Sequence, residues 1–389
     1  MTKKHRQATW NYPTFIRVGE NSIDELAGFC SQLGMSRPLI VTDPGIAVLP
    51  MLKNIVNLTK KAGLTASVFS QIKSNPTGKN VEDGVSSFRQ GKHDGIIAFG
   101  GGSALDAAKA IALMVGQDRP LWDFEDIGDN WTRVNTQGIA PVIAIPTTAG
   151  TGSEVGRASV ITHEQQRVKK IIFHPSMLPE IVILDPMVTI GLPASITAAT
   201  GMDALSHNLE AYCSSSYHPM AEGIALEGIR LVKDYLPQAY KDGTHVDARL
   251  QMLVASTMGA TAFQRGLGAM HAVAHSLGAL YDAHHGLLNA ILMPYILTAN
   301  KAVIQECIER LSRYLDLEDS SFDGFLAWIL ELRRSLNIPH SLSEIGITDQ
   351  DSVLVGRMSE CDATASGNPV AFSAQDYTSI FINAVRGKL

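Results

Sequence analysis

No C-x-x-C pair, basic stripe, acidic tail or apolar leader occurs in this chain, and each absence removes a class of function. Its four cysteines, Cys30, Cys213, Cys307 and Cys361, stand far apart in 389 residues. That spacing argues against a disulfide framework or a zinc ribbon and reads as small apolar residues or free thiols in a reducing compartment. Lys and Arg (32) nearly balance Asp and Glu (38), with both signs scattered, so the net charge of −6 leaves no footprint for nucleic acid. The opening "MTKKHRQATWNYP" has basic residues but no apolar run behind them, unlike a secretory leader. No uninterrupted apolar stretch approaches the roughly 18 residues that span a bilayer. The expectation is a soluble cytoplasmic protein with neither nucleic acid nor membrane as partner. Familiar catalytic signatures are missing too. There is no H-E-x-x-H, no Walker A loop, and no G-x-G-x-x-G, because Leu105 stands where the third glycine belongs.

What is present divides into two grammars. Apolar residues make up 45% of the chain, enough for sizeable cores, and the length allows about two domains of roughly 100–200 residues each. In the first half, "PLIVTDPG" (38–45), "TASVFSQI" (65–72), "DGIIAFGGGS" (94–103), "PVIAIPTT" (141–148) and "EIVILDP" (180–186) read as buried strands. Helical patterns fill the gaps, so the spacing predicts a mostly parallel sheet covered on both faces. "WNYPTFIRVGEN" reads as an edge strand, because Pro13 cannot donate to a ladder, and "SVITHEQQRVKKIIF" (159–173) as a hairpin. Beyond "DPMVTIGLP" the β-branched runs stop, and apolar residues recur at three- and four-residue spacing. The expected architecture is an α/β domain over residues 1–188 followed by an all-α domain over 189–389.

Three stretches of the first half suit a nucleotide. "AFGGGSALDAAK" runs strand, glycines, helix; Gly100, Gly101 and Gly102 permit close backbone approach, and Ser103 is placed to cap the helix. A helix N-terminus of this kind holds phosphate through free N–H groups and the positive end of its dipole. Asp43, in "VTDPG", could accept from ribose hydroxyls and repel a 2′-phosphate, although before Pro44-Gly45 it is also a natural turn former. "IPTTAGTGSEV" offers the hydroxyls of Thr147, Thr148, Thr151 and Ser153.

In the second half, "GMDALSHNLEAYC" sets Asp203 and His207 four apart, hence on one helix face. "GAMHAVAHSLGALYDAHHG" repeats the interval with His271 and His275, and His285 follows. A carboxylate and imidazoles on facing helices can enclose a divalent cation and stabilise negative charge on an alcohol oxygen. Spacing alone leaves competitors: Glu210 shares the face of Asp203, and His284 adjoins His285.

These motifs, with "SNPTG", "ILDP" and "SGNP", resemble in order and over nearly the whole chain the iron-containing (group III) alcohol dehydrogenases. The resemblance implies an N-terminal dinucleotide-binding domain, an all-helical C-terminal domain and a metal in the cleft between them. It assigns Asp203, His207, His271 and His285 as ligands of a divalent metal, Fe(II) first and Zn(II) as the alternative. It places His275 in the catalytic pocket beside the nicotinamide. Contacts to NAD, with NADP as the alternative, fall to Asp43, Asn75, Gly101, Gly102, Ser103, Thr147, Thr148 and Lys169, where a slip of one would substitute Lys170. The implied activity is reversible hydride transfer between a short-chain alcohol, or a hydroxy acid such as 4-hydroxybutyrate, and its aldehyde, in a homodimer or larger assembly. Arg265 is the nearest cation in sequence for such a carboxylate. The competing reading is a lyase or cyclase, similar to dehydroquinate synthase, with no net redox change.

Overall fold

A computed structural model describes residues 10–12, 14–166 and 168–389. It divides into two compact units, Pro13–Gly191 and Leu192–Leu389, and residues 10–12 group with the second. There Asn11 N–H donates to Gln264 Oε1 at 2.8 Å, and Trp10 stacks on His218 with ring centres 4.8 Å apart.

The first unit is built on β1 (Phe15–Val18), β2 (Pro38–Val41), β3 (Ser67–Phe69), β4 (Gly95–Gly100), β5 (Val142–Pro146), β6 (Ala158–His163), β7 (Val168–Phe173) and β8 (Ile181–Leu184). Six of these form an entirely parallel sheet in the order β1-β8-β5-β4-β2-β3. Every residue of β2, β4, β5 and β8 is buried, as continuous Val/Ile-rich runs require when both faces are covered. Each fully buried branched side chain contributes about 1.5–3 kcal/mol. "TASVFSQI" departs from its expected burial. Only three of its residues form β3, which pairs with β2 alone at the sheet edge and leaves Ser67 and Val68 exposed. β6 and β7 form the expected antiparallel hairpin.

The helices of this unit are α1 (Leu26–Gln32), α2 (Pro44–Ala47), α3 (Pro50–Lys61), α4 (Gly78–Gln90) and α5 (Gly102–Met114). The strand order locates the ligand crevice. From β2 the chain moves outward to β3, whereas from β4 it crosses through α5 to β5 on the other side. The carboxyl ends of β2 and β4 therefore flank a topological switch point, where open α/β sheets bind ligands. Asp43 follows β2 there, and the glycine turn follows β4.

The second unit holds α6 (Ala194–Cys213), α7 (Pro219–Lys241), α8 (Val246–Ala262), α9 (Ala269–Tyr281), α10 (His285–Tyr314), α11 (Phe322–Ser335), α12 (Ser352–Glu360) and α13 (Ala374–Arg386). α6 is buried on all sides from Thr197 to Tyr212, so it is the core of the bundle rather than a surface helix. Against the expectation from its uninterrupted runs, α10 is long and apolar enough to cross a membrane by length and composition. It is a core helix by burial, with 67% of its apolar window covered by the rest of the chain.

Candidate metal centre

Helical periodicity puts the first donors together. Asp203 and His207 lie one turn apart on α6, and His271 and His275 one turn apart on α9. His285, the first residue of α10, reaches the same place because Gly286 follows it: a Cβ there would sit 2.5 Å from Ala199 O, so only glycine lets α10 approach α6 this closely. One ligand atom from each of Asp203, His207, His271 and His285 then lies within 4.8 Å of the others. Bonds of about 2.0–2.2 Å to a shared ion put donors at most about 4.4 Å apart, so the set need close by only a few tenths of an ångström. Asp203, His207 and His271 are buried, and His285 is partly exposed.

Surrounding groups aim these donors. Glu210, one turn beyond His207, is turned away from the cluster and accepts three hydrogen bonds at 2.7 Å, from Gly268 N–H, Met270 N–H and His271 Nδ1–H. That last bond fixes the His271 tautomer and leaves the Nε2 lone pair facing the cluster. Burial opposes charge on this ring, but Glu210, backed by Asp203 and Asp362, outweighs it and raises the His271 pKa above the ordinary imidazole value. The start of α9 is held as well by Asn368 of "SGNP", whose Oδ1 accepts from Ala269 N–H at 3.2 Å and from Asn300 at 3.1 Å. His275 donates from Nδ1 to Asp362 Oδ2 at 3.0 Å. Burial pushes the Asp362 pKa up, yet His275 and Thr364 together bring it below the usual carboxylate value.

Asn289, one turn after His285, supplies the test of fit. Its Nδ2 lies 2.8 Å from Asp203 Oδ1 and 3.2 Å from Nε2 of both His271 and His285. The lone pairs thus converge on the positive end of an amide dipole, while Asn289 Oδ1 is buried without a hydrogen-bond partner among the described residues. Such a donor set is organised around positive charge, and three imidazoles with one carboxylate suit a first-row divalent cation.

The sequence could not rank the competitors, and the geometry does. Glu210 orients a donor and is not grouped with the four, and His284 caps α10, its Nδ1 accepting from Leu287 N–H at 3.3 Å. Burial lowers the pKa of His284. Arg265 is no free cation either. It donates to the carbonyls of Tyr212 and Ser216 at the end of α6, both at 2.8 Å, and pairs with Glu222 at 3.2 Å. Asn289 and Asp362 went unread in the sequence; the one available signal was the four-residue interval from His285 to Asn289.

The predicted nucleotide residues gather at the switch point. A Cβ on Gly101 would lie 3.3 Å from Thr148 Oγ1, and one on Gly102 would lie 2.4 Å from Thr151 Cγ2, so side chains here would fill the cradle. Thr147 N–H donates to Gly100 O at 3.0 Å. Ser103 corrects its expected role: the helix cap is Gly101, and the Ser103 hydroxyl donates to Ser74 O, next to Asn75. Asp43 caps α2, Oδ1 accepting from Ile46 N–H at 3.0 Å, while Oδ2 faces the turn at Gly100. Lys169 pairs in register with Thr162, whose N–H donates to Pro76 O, which sets this strand beside the Asn75 segment. Lys170 instead forms an ion pair with Glu125 at 2.6 Å.

Comparison with known proteins gives matching results for both halves. Residues 13–186 match the family model described as iron-containing alcohol dehydrogenase, and residues 197–385 match that of the C-terminal part of the Fe-containing alcohol dehydrogenase family. A 4-hydroxybutyrate dehydrogenase of Cupriavidus necator is 37% identical over 379 residues, which is 94% of this chain and 97% of the relative. A crystal structure of 1,3-propanediol oxidoreductase superposes with a TM-score of 0.93 at 33% identity, covering 97% of this chain and 100% of that one. The sulfoacetaldehyde reductase of Bifidobacterium kashiwanohense, solved with NAD+, gives a TM-score of 0.86 at 26% identity over 97% of this chain and 99% of that one.

Proposed function

The chain belongs to the iron-containing alcohol dehydrogenase family and is an oxidoreductase acting on CH–OH groups, and on that premise we propose how its residues divide the work. Asp203, His207, His271 and His285 hold one Fe(II), and Asp43, Asn75, Gly101, Gly102, Ser103, Thr147, Thr148 and Lys169 hold NAD. The substrate is a short-chain primary alcohol or its aldehyde. The observation that carries this reading is the convergence of four donors within 4.8 Å, with Glu210 fixing the tautomer of one. When bound, the cation supplies Lewis-acid stabilisation of negative charge on the substrate oxygen. His275 keeps its Nδ1 proton against Asp362 and presents Nε2 to take a proton from the alcohol side or return it on reduction. The N–H groups at the start of α5 and the end of its dipole hold the dinucleotide phosphates.

The relative named for 4-hydroxybutyrate makes that acid the first substrate to test. Because the Arg265 donors are occupied, its carboxylate would be met by another group. The deciding assay is an NADH-coupled screen of short aldehydes with and without a terminal carboxylate, run with metal analysis. NADH consumption matching alcohol formed supports the proposal; turnover with no net NADH change would instead favour a lyase.

Two further results are expected. Anaerobic chelation should remove turnover by about a thousandfold or more, since the cation accounts for several kcal/mol of charge stabilisation. Fe(II) should restore it better than Zn(II), and full recovery with zinc but none with iron would overturn the choice of metal. Asp43→Ala should narrow the preference for NAD over NADP by about 10–100-fold, the size of a charge-assisted hydrogen bond of about 1.5–3 kcal/mol. Equal kcat/KM for the two cofactors in the unmodified enzyme would refute the role of this carboxylate.

A further inference from the structure

Two of the four cysteines that stand far apart in sequence meet at the far end of α6. Cys213 is the last residue of that helix, Cys307 lies in α10, and their sulfurs are 4.0 Å apart, each partly exposed. The other two thiols differ: Cys30 is buried and Cys361 is exposed. Two guanidiniums stand near the pair. Arg310 donates to Tyr212 Oη at 2.9 Å and pairs with Glu222, which also holds Arg265 at 3.2 Å, and the Tyr212 hydroxyl donates to Cys307 O at 3.2 Å. Arg310 and Arg265 favour a thiolate at Cys307, Glu222 offsets part of their charge, and the Cys307 thiol donates to Ile304 O at 3.0 Å.

We propose that Cys213 and Cys307 are a redox-modification site that closes to a disulfide on reaction with a low-molecular-weight disulfide such as oxidised glutathione. The Cys307 thiolate attacks one sulfur of the reagent, breaks its S–S bond and releases one glutathione thiolate. Cys213, losing its proton, then attacks the Cys307 sulfur and releases the second glutathione thiolate. The chain gives up two electrons and two protons, and the reagent becomes two thiols.

The division of roles follows from the contact. The two sulfurs share one hydrogen bond, so only one of them ionises readily, and Arg310, one turn beyond Cys307 on α10, together with Arg265 favours Cys307 for that role. Closure needs the sulfurs to approach from 4.0 Å to about 2.05 Å. Cys213 is the last residue of its helix and borders a cavity of about 20 Å³, roughly the space of one water. The new bond would tie the end of α6, one turn past Glu210, to α10.

The test uses the full-length, metal-loaded protein carrying Cys361→Ser, incubated with oxidised glutathione, alkylated and mapped by mass spectrometry. The expected product is a Cys213–Cys307 linked peptide that dithiothreitol abolishes. With Cys213→Ser added, Cys307 should keep one glutathione. With Cys307→Ser added, Cys213 should react at least about tenfold more slowly, as a thiol without the thiolate advantage. Circular dichroism confirms that each variant is folded. The proposal fails if both thiols stay open to alkylation in the folded protein, if linkage appears only in denaturant, or if the Cys307→Ser protein reacts as fast.

Discussion

Replacing His271 with alanine is expected to empty the metal centre and lower turnover by about a thousandfold or more, while leaving nicotinamide binding intact. The loss is this large because the substitution removes a donor and also the reason for its neighbours' arrangement. His271 Nε2 is one of four ligand atoms within 4.8 Å, and its ring stacks on His207 with centres 4.6 Å apart. A three-donor remnant binds a divalent ion much more weakly, and without the ion several kcal/mol of charge stabilisation disappear. The glycine turn and Asp43 lie in Pro13–Gly191, which holds none of the four donors, so binding of NADH measured by fluorescence should persist. Metal analysis, turnover and NADH binding on one preparation settle the matter. An active, metal-free variant would show that the cluster is not the catalytic centre.

Glu210→Gln is expected to lower metal affinity by about 10–100-fold although Glu210 binds no metal, the usual cost of losing the group behind a ligating histidine. The carboxylate has two oxygens, and together they receive Gly268 N–H, Met270 N–H and His271 Nδ1–H. Glutamine keeps one acceptor and turns an NH2 group toward donors in a buried place, adding a stability loss of about 1–3 kcal/mol. Titration of the metal-free protein with Fe(II), alongside chemical denaturation, separates the two effects. Unchanged affinity would mean that packing alone orients His271.

Much of the first unit was legible because its signals are local. Continuous apolar strands ending in turn residues imply a parallel sheet, and the central strands are buried throughout. β3 was misjudged because burial at a sheet edge depends on which strand lies beside it, which composition does not record. Ser103 was misplaced by two positions at the start of α5, since Gly101 and Gly102 let the helix begin earlier against Thr148 and Thr151. In the second unit the four-residue intervals put Asp203 with His207 on one face of α6 and His271 with His275 on one face of α9, as the helices do. They could not separate Glu210 from a ligand, because its direction is set by the start of α9, 58 residues further along.

Shared helix faces and the point where strands give way to helices were readable from the residues alone, because these depend on neighbours within a few positions. Long-range packing settled which faces meet. It joined His285 to Asp203 through the close approach at Gly286, spent the charge of Arg265 on the end of α6, and brought Cys213 to Cys307 across 94 residues. Periodicity reports that a face is covered, but the covering element is chosen by packing between segments distant in the chain.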